Sequence, residues 1–474
     1  YESMLVYDFA DRKDKTLYEF LYNSLKRDIL NGRLVQGSKL PSKRALAKDN
    51  QISVRTVMNA YEQLLAEGFI VSEEKRGYFV AKVYEDDIRS IKRMKKAKEE
   101  KQKDYVVDFT AHKLVCDKFP VSMWKKIMRE VLTDYDTELI QKADYRGIRK
   151  LRRAIADYLY RSRGMNVDEE CVVIGAGIEY LFGRLYKIFP KDSIYAMENP
   201  GYQRIRHIYE DYSLKWKCIA MDEEGIKIRD LEESNAKIIH TSPEHHFPLG
   251  ITMSKKRREE LLKWSNEEPD RYIIEDDYDC EYRYDARLAP AIQCGDETGR
   301  VIYINSFSKS LAPSIRISYM VLPKELMEKY KKIASVYSNS VCSCEQYALA
   351  KFLDAGYFER HMRRMKKYCQ EQGNRLLKAL KQSEIFSKAE IYGGKSGTHF
   401  LIKVDTRISD KQLVKEAKKQ KVKIRCLSKY CREDKESYRH TLVFRYTDAS
   451  DEEIKEAIHR LEKILKKNSS DIQI

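Results

Sequence analysis

Apolar residues recur at helical spacing early in the chain. Leu17, Phe20, Leu21, Leu25, Ile29 and Leu34 fall on one face of a helix that Asn31-Gly32 closes. A short second helix follows Leu40-Pro41, from Ser42 to Asn50. Ser53 caps a third that runs to about Glu67, with Val57, Tyr61, Leu64 and Leu65 facing inward, and Gly68 ends it. Phe69-Ile70-Val71 and Tyr78-Phe79-Val80 then read as two strands joined across Ser72 to Gly77. Three short helices and a two-stranded hairpin predict a winged helix-turn-helix over residues 1–81, mainly α with a β-wing.

The pattern changes at residues 82–104, where Lys, Arg, Glu and Asp dominate and apolar residues are sparse after Met94. This reads as a solvated, partly helical linker; a charged helix packed on a neighbour is the other reading. From residue 105 to 474, strands and helices alternate. Strands are expected at 171–174, 193–197, 237–240, 272–275 and 301–305. That rhythm predicts an α/β domain with a mostly parallel sheet. Phe400 to Val404 and Leu442 to Tyr446 bracket a helix around 409–419, which predicts a smaller α+β lobe from about residue 365. The chain is expected to be multidomain.

The formal net charge is +16. Such an excess favours polyanionic partners, double-stranded DNA ahead of a membrane. The other reading is that a lysine-rich proteome simply makes basic proteins. No apolar run approaches the roughly 18 residues needed to cross a bilayer. Nothing at the start reads as a secretory segment, and Tyr1-Glu2-Ser3 ahead of Met4 reads as a remnant before the natural start. The ten cysteines include no Cys-x-x-Cys pair. No metal site is therefore expected, and reduced thiols in a cytoplasmic protein are.

In a winged helix-turn-helix the third helix enters the major groove. Ser53, Arg55 and Thr56 stand at its start, and Arg55 suits a bidentate pair with guanine. Ser42, Lys43 and Arg44 open the second helix, where phosphate is favoured. Lys75 and Arg76 tip the wing.

The large domain carries a second chemistry. Ser306-Phe307-Ser308-Lys309-Ser310 follows an apolar strand, with Arg316 seven residues past the lysine. An amine there can form a Schiff base with an aldehyde while hydroxyls and an arginine hold a phosphate, which describes pyridoxal 5′-phosphate (PLP). Gly175-Ala176-Gly177, between a strand and a helix, suits the same phosphate. Asp276 suits the pyridine nitrogen, Tyr278 the phenolic oxygen and Tyr202 a stacking face.

Two resemblances rest on these residues. Gly37-Ser38-Lys39-Leu40-Pro41-Ser42-Lys43-Arg44-Ala45-Leu46-Ala47, Val54-Arg55-Thr56-Val57 and Glu67-Gly68-Phe69 resemble the GntR-type regulator pattern. The order of the PLP elements, with Asp144-Tyr145-Arg146-Gly147, resembles fold-type I aminotransferases. Their fusion resembles the MocR subgroup of bacterial regulators. That resemblance implies a PLP-binding transcriptional regulator and a head-to-tail homodimer. Lys309 would carry the cofactor, and an amine effector or PLP itself would be the signal. The alternative is a working aminotransferase with an appended DNA-binding domain.

Two positions depart from the enzyme pattern. Phe247, in Phe247-Pro248-Leu249-Gly250, stands where aminotransferases place an asparagine that donates to the cofactor, so at most residual transaminase activity is expected. His246 departs from the regulators' own pattern. The arginine that clamps a substrate carboxylate aligns with Asp448, unless the register shifts by three to Arg445; Arg204 and Arg146 are the other candidates for an effector acid.

Overall fold

The computed structural model describes residues 5–9, 16–82, 105–111, 118–284, 289–394 and 396–468. The chain divides into two compact units, Tyr1–Lys103 and Asp104–Ile474. Apart from Lys82 the expected linker lies outside the described residues, as does Cys116.

In the first unit α1 (Leu17–Leu30) opens with a capping box, in which Thr16 and Glu19 satisfy each other's backbone N–H groups. Ser42 and Ser53 cap α2 (Lys43–Asp49) and α3 (Val54–Ala66) by accepting from the N–H groups of Ala45 (3.2 Å) and Thr56 (3.0 Å). Leu21, Leu25, Leu46, Val57, Tyr61 and Leu64 are fully buried between the three helices. The Tyr61 hydroxyl donates to the Pro41 carbonyl at 2.9 Å, which ties α3 to the turn before α2. Strands β1 (Ile70–Glu73) and β2 (Gly77–Val80) pair antiparallel. Their ladder continues through Ser72–Tyr78 and Glu73–Gly77, past the apolar run that predicted it, because backbone pairing needs no apolar side chain.

The second unit begins with β3 (Val107–Asp108). An eight-stranded sheet follows, built from β4 (Val172–Gly175), β5 (Ile194–Asn199), β6 (Lys215–Asp222), β7 (Gly225–Ile226), β8 (Ile238–Thr241), β9 (Tyr272–Asp276), β10 (Val301–Ser306) and β11 (Ser318–Val321). Their order is β4-β11-β10-β9-β8-β5-β6-β7. The β6-β5-β8-β9-β10 stretch is parallel, while β11 runs antiparallel to both its neighbours and β7 to β6. The five predicted strands are present within two residues at each end. Neither β6 nor β11 is among the predicted strands; in β6, Lys215 and Lys217 interrupt the apolar run. Helices cover both faces, among them α4 (Ile178–Leu185) directly after β4.

The smaller lobe follows α5 (Tyr357–Lys381). Its strands β12 (Glu390–Gly393), β13 (His399–Lys403) and β15 (Thr441–Arg445) form an antiparallel sheet. β14 (Val422–Lys423) pairs in parallel with β3, and the lobe is completed by α6 (Asp410–Lys419) and α7 (Asp451–Lys467). Phe109 and Phe444 stack at 4.4 Å, joining the β3 segment to this lobe. No helix among the described residues is long and apolar enough to cross a membrane.

Candidate functional site

The carboxyl ends of β8, β9 and β10 open onto a cavity of about 300 Å³, at the lower end of the range for small-molecule sites. Tyr202, Asp276, Tyr278, Ser306, Ser308, Lys309, Arg316, Arg204 and Arg445 all line it. These residues come from segments as much as 243 positions apart in the chain.

Lys309 sits in a single helical turn, Phe307–Ser310, directly after β10. Ser306 starts that turn by accepting from the Ser308 N–H at 3.2 Å. Phe307 is buried against Tyr319 and Phe358. The Tyr282 hydroxyl donates to the Lys309 carbonyl at 3.1 Å, and His361 Nε2 lies 2.9 Å from the Ser310 carbonyl. The backbone is thus pinned on both sides of the amine. Burial, and next the Arg445 guanidinium, push the Lys309 ammonium down to about 7. The amine is therefore substantially neutral, hence nucleophilic, near physiological pH.

Asp276 ends β9 and is 4% exposed. Its Oδ2 lies 3.2 Å from His240 Nε2, while its buried Oδ1 has no hydrogen-bond partner among the described residues. A buried carboxylate oxygen facing a cavity without a donor suits a ligand that brings an N–H. The Tyr278 hydroxyl lies 3.3 Å from His245 Nδ1, which is itself 2.8 Å from Asp279 Oδ2. Burial raises Tyr278 well above the usual phenol range and holds the imidazoles of His246 and His399 below theirs.

At the mouth, the Arg316 guanidinium lies over Gly177, whose φ is +92°. A Cβ at that position would lie 2.2 Å from an Arg316 nitrogen, so only glycine leaves the arginine its place. Ser306 Oγ accepts from Ser318 Oγ at 2.8 Å and keeps its own proton available, whereas Ser308 Oγ donates to the Ile315 carbonyl. Gly175, Ala176 and Gly177 form the turn beneath the mouth and not its wall. The Ala176 N–H goes to Ser340 Oγ (3.0 Å) and that of Gly177 to the Gly175 carbonyl (2.9 Å). The wall is made by the next residues, Ile178 and Glu179. Glu179 had no place in the sequence reading. Its carboxylate bridges Arg316 (2.8 Å) and Arg204 (2.7 Å).

Three candidates for an effector acid separate here. Arg445 ends β15, lines the cavity and lies over the Phe247 ring at 4.9 Å, with no carboxylate partner among the described residues. Asp448 lies beyond the strand end and is exposed, which corrects its alignment with the clamp. Arg204 stands at the rim, paired with Glu179. Arg146 is a correction: it is spent on Asp144 (2.9 Å) and Glu170 and does not line the cavity. Phe247 packs edge-on to Tyr202 at 5.8 Å and to Tyr430 at 5.1 Å, supplying a hydrophobic wall where a donor was sought.

On the first unit, Arg44 and Arg55 are exposed without an acidic partner among the described residues, and Lys75 stands at the wing's tip with φ +59°. Arg76 pairs with Glu73 and lies over Phe79, and Lys43 lies over the Tyr78 ring. The hydroxyls of Ser42 and Ser53 are engaged as caps, Ser53 also with Thr56 Oγ1 at 2.8 Å.

The family described as "Bacterial regulatory proteins, gntR family" matches residues 17–80. "Aminotransferase class I and II" matches residues 116–461. The chain is 38% identical over 460 residues to the HTH-type transcriptional regulator YdeL of Bacillus subtilis, covering 94% of this chain and 96% of that one. It is 29% identical to the probable rhizopine catabolism regulatory protein MocR of Rhizobium meliloti, covering 88% and 87%. Among solved structures, a kynurenine aminotransferase of Pyrococcus horikoshii superposes with a TM-score of 0.69 at 22% identity, covering 83% of this chain and 96% of that one. Pyridoxal 5′-phosphate is the cofactor that this fold implies, and the unpartnered Asp276 oxygen, the Arg316 cradle and the Lys309 amine fit it. The chain belongs to the aminotransferase class I and II family and, through its gntR-family domain, to the MocR-like transcriptional regulators.

Proposed function

We propose that this regulator binds PLP in the cavity around Lys309 and reports on an amine, or on PLP itself, through its hold on DNA. The observation that carries this reading is the buried Asp276 oxygen, without a donor among the described residues, in the same cavity as the Lys309 amine and Arg445, which has no carboxylate partner among them. Bound PLP supplies an electrophilic aldehyde that condenses with primary amines. Lys309 offers that aldehyde its neutral amine. Asp276 accepts the pyridine N–H, Arg316 and Ser306 hold the phosphate, Tyr278 faces the phenolic oxygen and Tyr202 covers the ring. Arg445 is the cation left for the carboxylate of an amino acid, which a guanidinium can pair in bidentate fashion. Coupling to DNA requires two states with different effector affinity.

Phe247 brings no donor to the cavity, which favours binding and reporting over turnover. Operator binding measured with and without PLP and a panel of amino acids tests the proposal. A ligand-dependent change that Arg445→Ala removes supports it. Rapid multiple turnover of amino donor and keto acid, with DNA binding indifferent to both, would sink it in favour of an enzyme.

A homodimer in the cytoplasm is part of this proposal. Arg55→Ala should weaken operator binding by about 1–3 kcal/mol and relax preference at one base pair, if Arg55 reads a guanine. An equal loss on operator and random DNA would make it a phosphate contact only.

Glu179 gives a further test. A phosphate brought to Arg316 has to part the Glu179 ion pair and sit beside a carboxylate. Both partners are partly exposed, so the effect is modest. Glu179→Gln should tighten PLP by a few-fold, about 0.5–1 kcal/mol, read as Kd in an absorbance titration. Weaker binding in that variant would make Glu179 a support of Arg316 instead.

A further inference from the structure

The positive charge of this chain is not where its DNA-reading unit lies. Residues 1–81 hold 13 Lys and Arg against 11 Asp and Glu, whereas residues 365–474 hold 26 against 16. The smaller lobe alone therefore carries an excess of ten. Much of it converges on an open cleft of about 660 Å³ between α6, β14 and the segment before β15, which shares no lining residue with the cofactor cavity.

Lys411, Lys418, Lys429 and Lys435 line this cleft, are exposed, and have no carboxylate within 4.0 Å among the described residues. Three further cations there are engaged: Lys423 with Asp108 (2.8 Å), Arg439 with Glu436, and Arg425 with the Tyr430 hydroxyl (3.1 Å). The cleft's two carboxylates do not offset the four free lysines. Glu436 is taken by Arg439, while Asp410 turns to its own lobe, accepting from Ser428 and from the His440 N–H (2.9 Å).

We propose that this cleft is a second, sequence-independent DNA site that grips duplex phosphates. Isolated lysine–phosphate contacts are weak, and a free small anion would gain little from them. Duplex DNA differs because the same chain carries a DNA-reading domain, and a tethered second contact acts at high effective concentration. Each phosphate neutralised also releases condensed counterions, so the contribution appears in the salt dependence of binding.

The test uses the full-length protein and a random-sequence duplex, with affinity measured across a salt series. The variant K411Q/K418Q/K429Q/K435Q should bind at least roughly tenfold more weakly at low salt, and its log–log salt slope should be shallower by about two to four. K411Q/K418Q and K429Q/K435Q should each give about half that change, so the result does not depend on one quadruple variant folding. A matched loss of charge on the same lobe outside the cleft, K378Q/K381Q/K455Q/K463Q, should change the slope much less. The proposal is overturned if the slope is unchanged in the cleft variant, or if the matched variant lowers it equally. It is also overturned if the cleft variant loses only inorganic polyphosphate binding while duplex binding is untouched, which would mark a pocket for small anions.

Discussion

Lys309→Ala should leave the protein with no reducible covalent bond to PLP. After borohydride treatment, a cofactor-bearing peptide containing residue 309 should appear in the wild-type digest and vanish from that of the variant. Among the described residues no other amine lines the cavity, whose remaining cations are the guanidinium groups of Arg204, Arg316 and Arg445. The effect is therefore all or nothing at that peptide. Attachment in the wild type should also depend on pH in a stated direction. The Lys309 ammonium is pushed down to about 7, so the neutral amine grows as pH rises from 6 to 8. The attachment rate should climb through that interval and flatten above it. A rate still rising steeply at pH 9 would mean an ordinary lysine is reacting. DNA affinity without cofactor should be unchanged in the variant, since Lys309 belongs neither to the first compact unit nor to the lysine cleft of the smaller lobe. A retained adduct would show that another lysine carries the cofactor.

The sequence made Lys309, Asp276 and Tyr202 visible for one reason: each ends or follows an apolar strand that stops where an α/β sheet places its ligands. Arg445 was harder. Motif alignment favoured Asp448, and only the pairing of β15 with β13 decides between them. His399 opposite Arg445 fixes the strand through residue 445, and alternation puts Arg445 on the face of Val443. Val443 packs in the cluster that holds Phe247, so the arginine shares the cavity's side. Glu179 illustrates a different limit. An acid in the first turn of a helix reads as favourable by dipole alone. Its real partners, Arg204 and Arg316, lie 25 and 137 residues away, and no local pattern joins them. The overall charge pointed to DNA as partner, but a total cannot say which unit carries it.

These distant pairings bear on stability as well as on the site. Asp277→Ala should destabilise the large unit by about 3–5 kcal/mol. Asp277 follows the cofactor-facing Asp276, yet it points the other way, into the protein. Its Oδ2 lies 3.1 Å from Arg163 Nε, and both side chains are 1% exposed. The Tyr303 hydroxyl also donates to it, at 2.7 Å. Removing the carboxylate leaves a buried guanidinium whose remaining acid, Glu244, is 3.8 Å away and shared with Arg258 and Arg283. That uncompensated charge sets the size of the loss. Removing both charges should cost less, because a buried pair brings little net stability once its desolvation is counted. Arg163→Met with Asp277→Ala should therefore unfold later in denaturant than Asp277→Ala alone. The neighbouring Glu275 provides a check on the electrostatics. Burial, and next the Asp277 charge, raise its carboxyl to about 7. A carboxyl raised in the folded state binds its proton more tightly there than in the unfolded chain, so it takes stability away as pH rises from about 4.5 to about 7. Asp277→Ala should shrink that loss, and the gap between wild type and variant should narrow toward neutral pH. If single and double variants unfold together at every pH, an uncompensated Arg163 charge does not set the loss.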